Sequence, residues 1–410
     1  MLNTDTGIPA AKVEQLVREL VCLRCGREHP YRGAAYLCES CGYGTGPSDA
    51  GVLDVRYDYD AVREQLLDGR RVRSQRSDLF RYLPLLPVGH VPSTLRPGGT
   101  PLFPVSELAV GLGVRSLHLK DETRNPTRAL KDRASVVGLT RAQELGYEDV
   151  VCASAGNAAI SMSGFAANLG LRAHAYVPSD ASDVRLGWLR LLGADIQRST
   201  GDYDVAFDAA EARRQDGWYS RNCAFNPFLV EGKKTAALEI GEQLGWEVPD
   251  LVVCPVGDAC TLGAIGKGFR ELRELGLTDR LPRLVGIQTA AVHPMVDRFV
   301  AEEPGGWDAP PVEETTFAAS INVKRPRNAR RLMNEIHASD GVLLAVTDAA
   351  IGTAQRELAE RAGVVAEFTS AAALAGLRQL AEHESIDGRT VTLVITGGRP
   401  DDTSPSEENA

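Results

Sequence analysis

The sequence is short of positive charge: 45 Lys and Arg stand against 55 Asp and Glu, a formal net charge of −10. That balance argues against broad binding to nucleic acid or to anionic membranes, both of which need a basic face. An apolar leader is lacking too. Residues 1–20 hold Asp5, Lys12, Glu14 and Arg18 with no hydrophobic block between them, so no signal peptide is read there and the cytoplasm is the expected compartment. Long apolar runs are missing. The uncharged stretch Cys152–Leu171 has the length of a membrane span, but it is rich in Ser, Asn and Gly and reads as a loop followed by a buried small-residue helix. No internal repeat is present. The 410 residues are 43% hydrophobic and 24% charged, as in ordinary globular proteins, with room for two or three domains.

Eight cysteines fall into two groups. Cys152, Cys223, Cys254 and Cys260 are scattered. Cys22, Cys25, Cys38 and Cys41 form two Cys-x2-Cys knuckles separated by twelve residues, each followed by a glycine, Gly26 or Gly42. Two thiolates on each of two tight turns complete a tetrahedron, so the spacing reads as a zinc-ribbon-like module with a structural Zn²⁺ and no open position. The alternative is a pair of metal-free knuckles kept for packing. His29, between them, is expected to face solvent.

Residues 10–20 carry the pattern of a short amphipathic helix, and Asp54–Arg71 reads as a strand then a helix. The Pro- and Gly-dense stretch up to Leu102 reads as a loop wrapping the domain. From Ala134 to Arg221 strands and helices alternate (VVCAS, AHAYVPS and ADIQRST against AAISMSGFAANLG, ASDVRLGWLRLLG and DYDVAFDAAEARRQDG). The alternation resumes after Asn226. Such spacing predicts an α/β protein with parallel sheets and right-handed crossovers. The expected division is an N-terminal module over 1–60, a large domain from 61–133 and 226–402, a smaller mobile domain over 134–225, and a disordered tail over 403–410.

Four stretches hold chemistry. LKDETRNPTRALKDRAS (Leu119–Ser135) runs from a strand through a loop with Asn125 and Pro126 into a predicted helix, with Thr127 as a candidate N-cap and Lys131 near its start. ASAGNAAIS (Ala153–Ser161) follows a strand. VVCPVGDACTLGAIGKGF (Val252–Phe269) is a strand, a Gly-containing loop and a helix. VTLVITGGRPDD (Val391–Asp402) is a strand ending in Thr-Gly-Gly. Singly each has a plain reading: a solvated Lys, an Asn N-cap, an αβ turn, a strand-end Thr. In this order the four resemble the fold-type-II pyridoxal-phosphate (PLP) enzymes, and within them threonine synthase and its paralogues, from about Val21 to Asp402. The resemblance implies two doubly wound parallel-sheet domains, PLP as cofactor, a small amino-acid substrate, and a homodimer.

It also implies residue roles. Lys131 would be the amine that condenses reversibly with the cofactor aldehyde. Val256, Gly257, Asp258, Ala259, Cys260 and Thr261 would meet its phosphate with backbone N–H groups and a helix N-terminus. Asn157 would meet the ring hydroxyl and Thr396 the ring nitrogen. Ser154, Ala155 and Gly156 would bind the substrate carboxylate. The sequence departs from the family pattern at Asp258, whose carboxylate should turn away from a phosphate, at Phe368 in EFTSAAALAGL, where Glu367 and Ser370 match, at Arg399, and at Arg128, three residues before Lys131. Arg128 either senses an anionic substrate group or points to solvent. Lys120, Arg185 and Arg221 are further candidate cations, or plain ion-pair partners. The reaction implied is β,γ-elimination and hydration of O-phosphohomoserine to threonine and phosphate. Rivals are β-replacement on O-phosphoserine, as in cysteate synthase-like enzymes, threonine or serine dehydration, and a non-enzyme reading as a zinc-ribbon binding module on a silent scaffold.

Overall fold

The structure, a computed structural model, describes residues 16–91, 93–302, 307–308 and 316–398. The expected tail over 403–410, Arg399, and residues 10–15 of the expected N-terminal helix lie outside them. Residues 17–20 of that helix are instead strand: Val17–Cys22 buries Val17, Leu20 and Cys22, alternating from Leu20 onward after a register irregularity between Val17 and Glu19. Its period of two suits a three-stranded antiparallel sheet, where it lies between Glu28–His29 and Leu53–Tyr57. His29, expected to face solvent, is half-buried there.

The chain divides into two compact units, one from residues up to 38, 52–99 and 125–235, the other from 39–51, 100–124 and 236 onward. In the first, four parallel strands run in the order Asp195–Arg198, Arg172–Val177, Asp149–Ala153, Tyr219–Ser220. Helices Lys131–Glu144, Asn157–Leu169, Asp183–Leu191 and Tyr203–Ala212 belong to this unit. Its core joins Val136, Val137 and Leu139 to Ile160, Met162 and Phe165. Leu79, Phe80, Leu83, Leu86 and Val88 belong to the same core. The expectation of a wrapping loop there is corrected: Leu79–Leu85 is a 3-10 helix capped by the Asp78 carboxylate, and its closely spaced apolar residues have a core to bury in.

The second unit holds six strands in the order Val342–Val346, Arg283–Thr289, Leu251–Pro255, Thr390–Ile395, Ser116–Asp121, Leu102–Pro104. All pairs are parallel except the last, where Leu102–Pro104 runs antiparallel at the edge. Every residue of Leu251–Pro255 is buried, as expected of a central parallel strand covered on both faces. Helix Phe368–His383 supplies Ala371 to Leu374 and Leu377 to the core, against Leu251, Val253, Ile287 and Leu393. The last strand in sequence lies between the third and fifth positions of the sheet, so the order reverses beside it. Ligands in open α/β sheets bind outside the strands' carboxyl ends at such a point. Among the described residues no helix is long and apolar enough to cross a membrane.

Candidate active site

In the first unit the carboxyl end of strand Asp149–Ala153 feeds the loop Ser154–Gly156 and then helix Asn157–Leu169. The Ser154 hydroxyl oxygen accepts from the Gly156 N–H at 3.0 Å, so that N–H is already engaged, while the hydroxyl hydrogen is left to donate. Asn157 is the first helical residue. The cap position is Gly156, and no side chain caps this end, so the amide of Asn157 is not the N-cap that its sequence position allows. Asn157 is 7% exposed. The Ala153 N–H donates to the Asn222 side-chain oxygen at 2.8 Å, which ties the loop after Tyr219–Ser220 to this strand end.

Lys131 opens helix Lys131–Glu144, again with no side-chain cap; the cap position is Leu130. Thr127, expected as the N-cap, serves differently. Its N–H donates to an Asp132 carboxylate oxygen at 2.6 Å and its hydroxyl bonds the other oxygen. Burial pushes the Asp132 carboxyl up to about 6, against hydrogen bonds from Ser161 and Thr127 and the charge of Arg221. Arg221, 1% exposed, donates to the Ser135 hydroxyl at 2.9 and 3.1 Å and to the Lys131 carbonyl at 3.2 Å. The Ser161 and Ser135 hydroxyl oxygens lie 2.7 Å apart. Arg221 thus clamps the first turn of the Lys131 helix. At the Lys131 helix the Asp132 and Arg133 N–H groups donate to the Ala129 and Leu130 carbonyls, whereas the start of helix Asn157–Leu169, without a side-chain cap, suits an anion. The Cys152 thiol is fully buried and pushed up to about 11 by burial, which takes it out of nucleophilic chemistry.

Arg128 is exposed, and its backbone is left-handed at φ 65°. It closes a turn, donating its N–H to the Asn125 carbonyl at 2.8 Å. Among the described residues it enters no ion pair. Arg185 is partly exposed, on helix Asp183–Leu191. Lys120, a candidate substrate cation, lies in the interior of the second unit. Its side chain is 0% exposed and donates to Glu239 at 2.7 Å, Gln243 at 2.9 Å and the Thr100 carbonyl at 2.8 Å.

In the second unit, Val256–Thr261 follows strand Leu251–Pro255, and Thr396 follows the neighbouring parallel strand Thr390–Ile395. Both sit at carboxyl ends. Helix Cys260–Glu274 starts without a side-chain cap, behind Ala259 at φ 65° and ψ 0°. A non-glycine residue there is strained by ~1–2 kcal/mol. A Cβ on Gly257 would lie 2.6 Å from the Ser320 carbonyl oxygen, so that position accepts only glycine without a shift. Asp258 holds the loop from behind, as its charge requires. Its carboxylate lies 3.8 Å from the Arg327 guanidinium and accepts the Arg327 N–H at 3.4 Å, and its carbonyl accepts from Asn328. The Cys260 thiol is buried, and Thr261 is partly exposed.

The Thr396 hydroxyl lies 2.9 Å from that of Ser370, which also accepts the Gly397 N–H and bonds the Gly397 carbonyl, both at 2.9 Å. Glu367, 3% exposed, precedes helix Phe368–His383, and a Cβ on Gly397 would lie 2.8 Å from its carboxylate. Ser370 therefore fixes the orientation of a neutral hydroxyl at a strand end. Its role is legible in the sequence only through its match to the family helix.

The four thiol sulfurs of Cys22, Cys25, Cys38 and Cys41 lie within 4.8 Å of one another, with Cys25 and Cys38 3.8 Å apart. Tetrahedral Zn–S bonds of ~2.3 Å place sulfurs roughly 3.8 Å apart, so the donor set fits.

A family model described as pyridoxal-phosphate dependent enzyme matches residues 93–397. The chain belongs to this family. It is similar to threonine synthase from Methanocaldococcus jannaschii, at 36% identity over 383 residues, 92% of this chain and 91% of that one. Threonine synthase from Methanosarcina acetivorans is 37% identical over 384 residues, with the same coverage. Among solved structures, a threonine deaminase from T.th. aligns with a TM-score of 0.61 at 25% identity, covering 75% of this chain and 94% of that one. The resemblance and the α/β fold are thus borne out: this is a threonine synthase-like PLP-dependent enzyme.

Proposed function

We propose that the chain is a lyase that converts O-phosphohomoserine to threonine and phosphate by β,γ-elimination and hydration. The observation that carries this reading is the likeness to threonine synthases over nine-tenths of both chains. When bound, PLP supplies the electron sink that stabilises negative charge at the substrate Cα. The Lys131 amine would hold the cofactor and would move protons at the substrate Cα and Cβ. Its helix start is held by Arg221 through the Lys131 carbonyl, so the amine works from a fixed base. Backbone N–H groups of Gly257–Thr261, at the uncapped start of helix Cys260–Glu274, hold the cofactor phosphate; the Val256 N–H is taken by the Ile287 carbonyl at 2.7 Å, which removes Val256 as a donor. Asn157 orients the ring hydroxyl. Thr396, positioned by Ser370, offers the ring nitrogen a neutral partner, which favours elimination over transamination. Ser154–Gly156 hold the substrate carboxylate through the Ser154 hydroxyl and the Ala155 N–H, the Ser154 and Gly156 N–H groups being engaged by the Tyr176 carbonyl and the Ser154 hydroxyl. Arg128, exposed and without an ion-pair partner among the described residues, is the cation for the leaving phosphate. The four cysteines hold one structural Zn²⁺.

The test has two arms. Borohydride reduction should fix PLP covalently on wild type and not on Lys131→Ala. Phosphate and threonine should then appear from O-phosphohomoserine in equal amounts. Cofactor trapping without phosphate release would leave a PLP enzyme and remove this substrate. A similar solved structure is a threonine deaminase, so the second reading is dehydration of threonine, scored as 2-oxobutyrate. O-Phosphoserine with sulfite scores β-replacement.

A further inference from the structure

The first unit contains a cavity that the cofactor residues do not use. It is a half-open cleft of about 590 Å³, within the range of small-molecule sites. Its wall comes from the end of helix Tyr59–Leu66, the segment Arg73–Asp78, the 3-10 helix Leu79–Leu85, Val91 and Arg96. Four arginines line it, Arg73, Arg76, Arg81 and Arg96, against the single carboxylate of Asp78. The lining is therefore cationic by three charges in a chain whose net charge is −10. A local field of that sign in an acidic protein collects anions.

The arginines divide by what holds them. Arg76 grips Asp78 at 2.9 and 2.5 Å, and Asp78 also accepts the Phe80 N–H at 3.1 Å. Arg81 donates to the carbonyls of Ser74 and, at 3.2 Å, Arg76. These two brace the wall. Arg73 and Arg96 are exposed, and among the described residues neither enters an ion pair. The same lining has apolar members: Leu66, Phe80 and Leu83, each buried to between 2 and 4% exposure. Two unpaired guanidinium forks suit the oxygens of a phosphate, which they can grip in pairs. Apolar side chains in the same lining suit a ring.

We propose that this cavity is a second binding site, for a small organic phosphate of the nucleotide class. The phosphate sits on Arg73 and Arg96 and the base on Leu66, Phe80 and Leu83. The site is independent of the reaction proposed above, because no residue of it is assigned to cofactor or substrate.

The experiment titrates the PLP-saturated full-length protein, by calorimetry, with ATP, AMP, adenosine and inorganic phosphate. The double variant Arg73→Ala/Arg96→Ala is titrated alongside. Both side chains are exposed, so the variant should fold, and its unchanged PLP content checks this. ATP or AMP should bind saturably at one site per chain, with adenosine and phosphate at least tenfold weaker. The double variant should lose about tenfold or more in nucleotide affinity. No saturable nucleotide binding, or equal affinity in the double variant, overturns the site. Inorganic phosphate binding as tightly as AMP overturns the assignment of a ring to the apolar side chains.

Discussion

Replacing Lys120 by Met separates a fold role from a substrate role. The ammonium is closed to solvent and bonded to Glu239, Gln243 and the Thr100 carbonyl at 2.7 to 2.9 Å. Glu239 is itself only 4% exposed. Met nearly conserves the volume but takes the ammonium from a buried carboxylate and the donor from the Thr100 carbonyl and the Gln243 amide oxygen. Removing one partner of a buried ion pair costs about 3–5 kcal/mol. At roughly 2–4 °C per kcal/mol for a domain of this size, the melting temperature should fall by about 6–20 °C. Urea unfolding of the cofactor-saturated protein, followed by tryptophan fluorescence, reads the loss. Lys120→Met/Glu239→Gln should lose less than the sum of the two single variants, because the second change removes the stranded charge. The KM for a phosphorylated substrate should stay within about twofold. A melting temperature within about 2 °C of wild type, together with a tenfold rise in KM, would refute the assignment and return Lys120 to the substrate.

Three further outcomes follow from the same structure. Burial raises the Asp132 carboxyl from 3.8 to about 6, so the folded state binds this proton more tightly than the unfolded chain. Stability from this group is full below the unfolded value and declines as pH rises through about 6, by about 3 kcal/mol at most. Urea midpoints of wild type minus Asp132→Asn should shift in favour of wild type between about pH 7 and pH 4, and a difference independent of pH refutes it. Ala259→Gly should stabilise by up to ~1 kcal/mol by relieving the left-handed backbone, and a lower unfolding midpoint contradicts this. Elemental analysis should find one zinc per chain, lost in Cys22→Ser/Cys25→Ser; equal metal content in wild type and variant overturns the zinc site.

The parallel sheets were legible because their strands are short apolar runs between turn signals, as in LVVCP and TLVI. The helices that follow the chemistry-bearing loops were legible for the same reason. Val17–Cys22 was missed because Leu16, Val17 and Leu20 fit a helical period as well as a strand, and only the antiparallel partners at 28–29 and 53–57 decide between them. The 3-10 helix Leu79–Leu85 was missed because Pro84 and the prolines around it signal a loop, whereas the apolar residues between them bury in the core. Within the site, motif residues were visible but their supports were not. Neither the Arg221 clamp on Lys131 nor the Asp258 contact with Arg327 leaves a spacing signal, since each joins residues 69 or more positions apart. The same holds for Lys120, whose partner Glu239 is 119 residues away.

Backbone strain gives a reading of the site that does not depend on motifs. Five non-glycine residues among those described have a left-handed backbone: Arg128, Trp246, Ala259, Glu302 and Asp340. Trp246, Glu302 and Asp340 stand just past the ends of helices Pro227–Gln243, Pro294–Val300 and Ala329–Ala338, where a left-handed residue is an ordinary way to leave a helix. Arg128 and Ala259 instead stand just before helices, those starting at Lys131 and Cys260. Helix termination does not account for strain on that side. A left-handed residue there turns the incoming chain sharply into the helix, and both helices lack a side-chain cap. Strain of this kind persists where the surrounding structure gains something from the conformation. Behind Gly257 the gain is a helix N-terminus without a side-chain cap, suited to a negatively charged group; at the Lys131 helix the Asp132 and Arg133 N–H groups are bonded to the Ala129 and Leu130 carbonyls, and the sharp turn at Arg128 serves to bring Lys131 to the helix start.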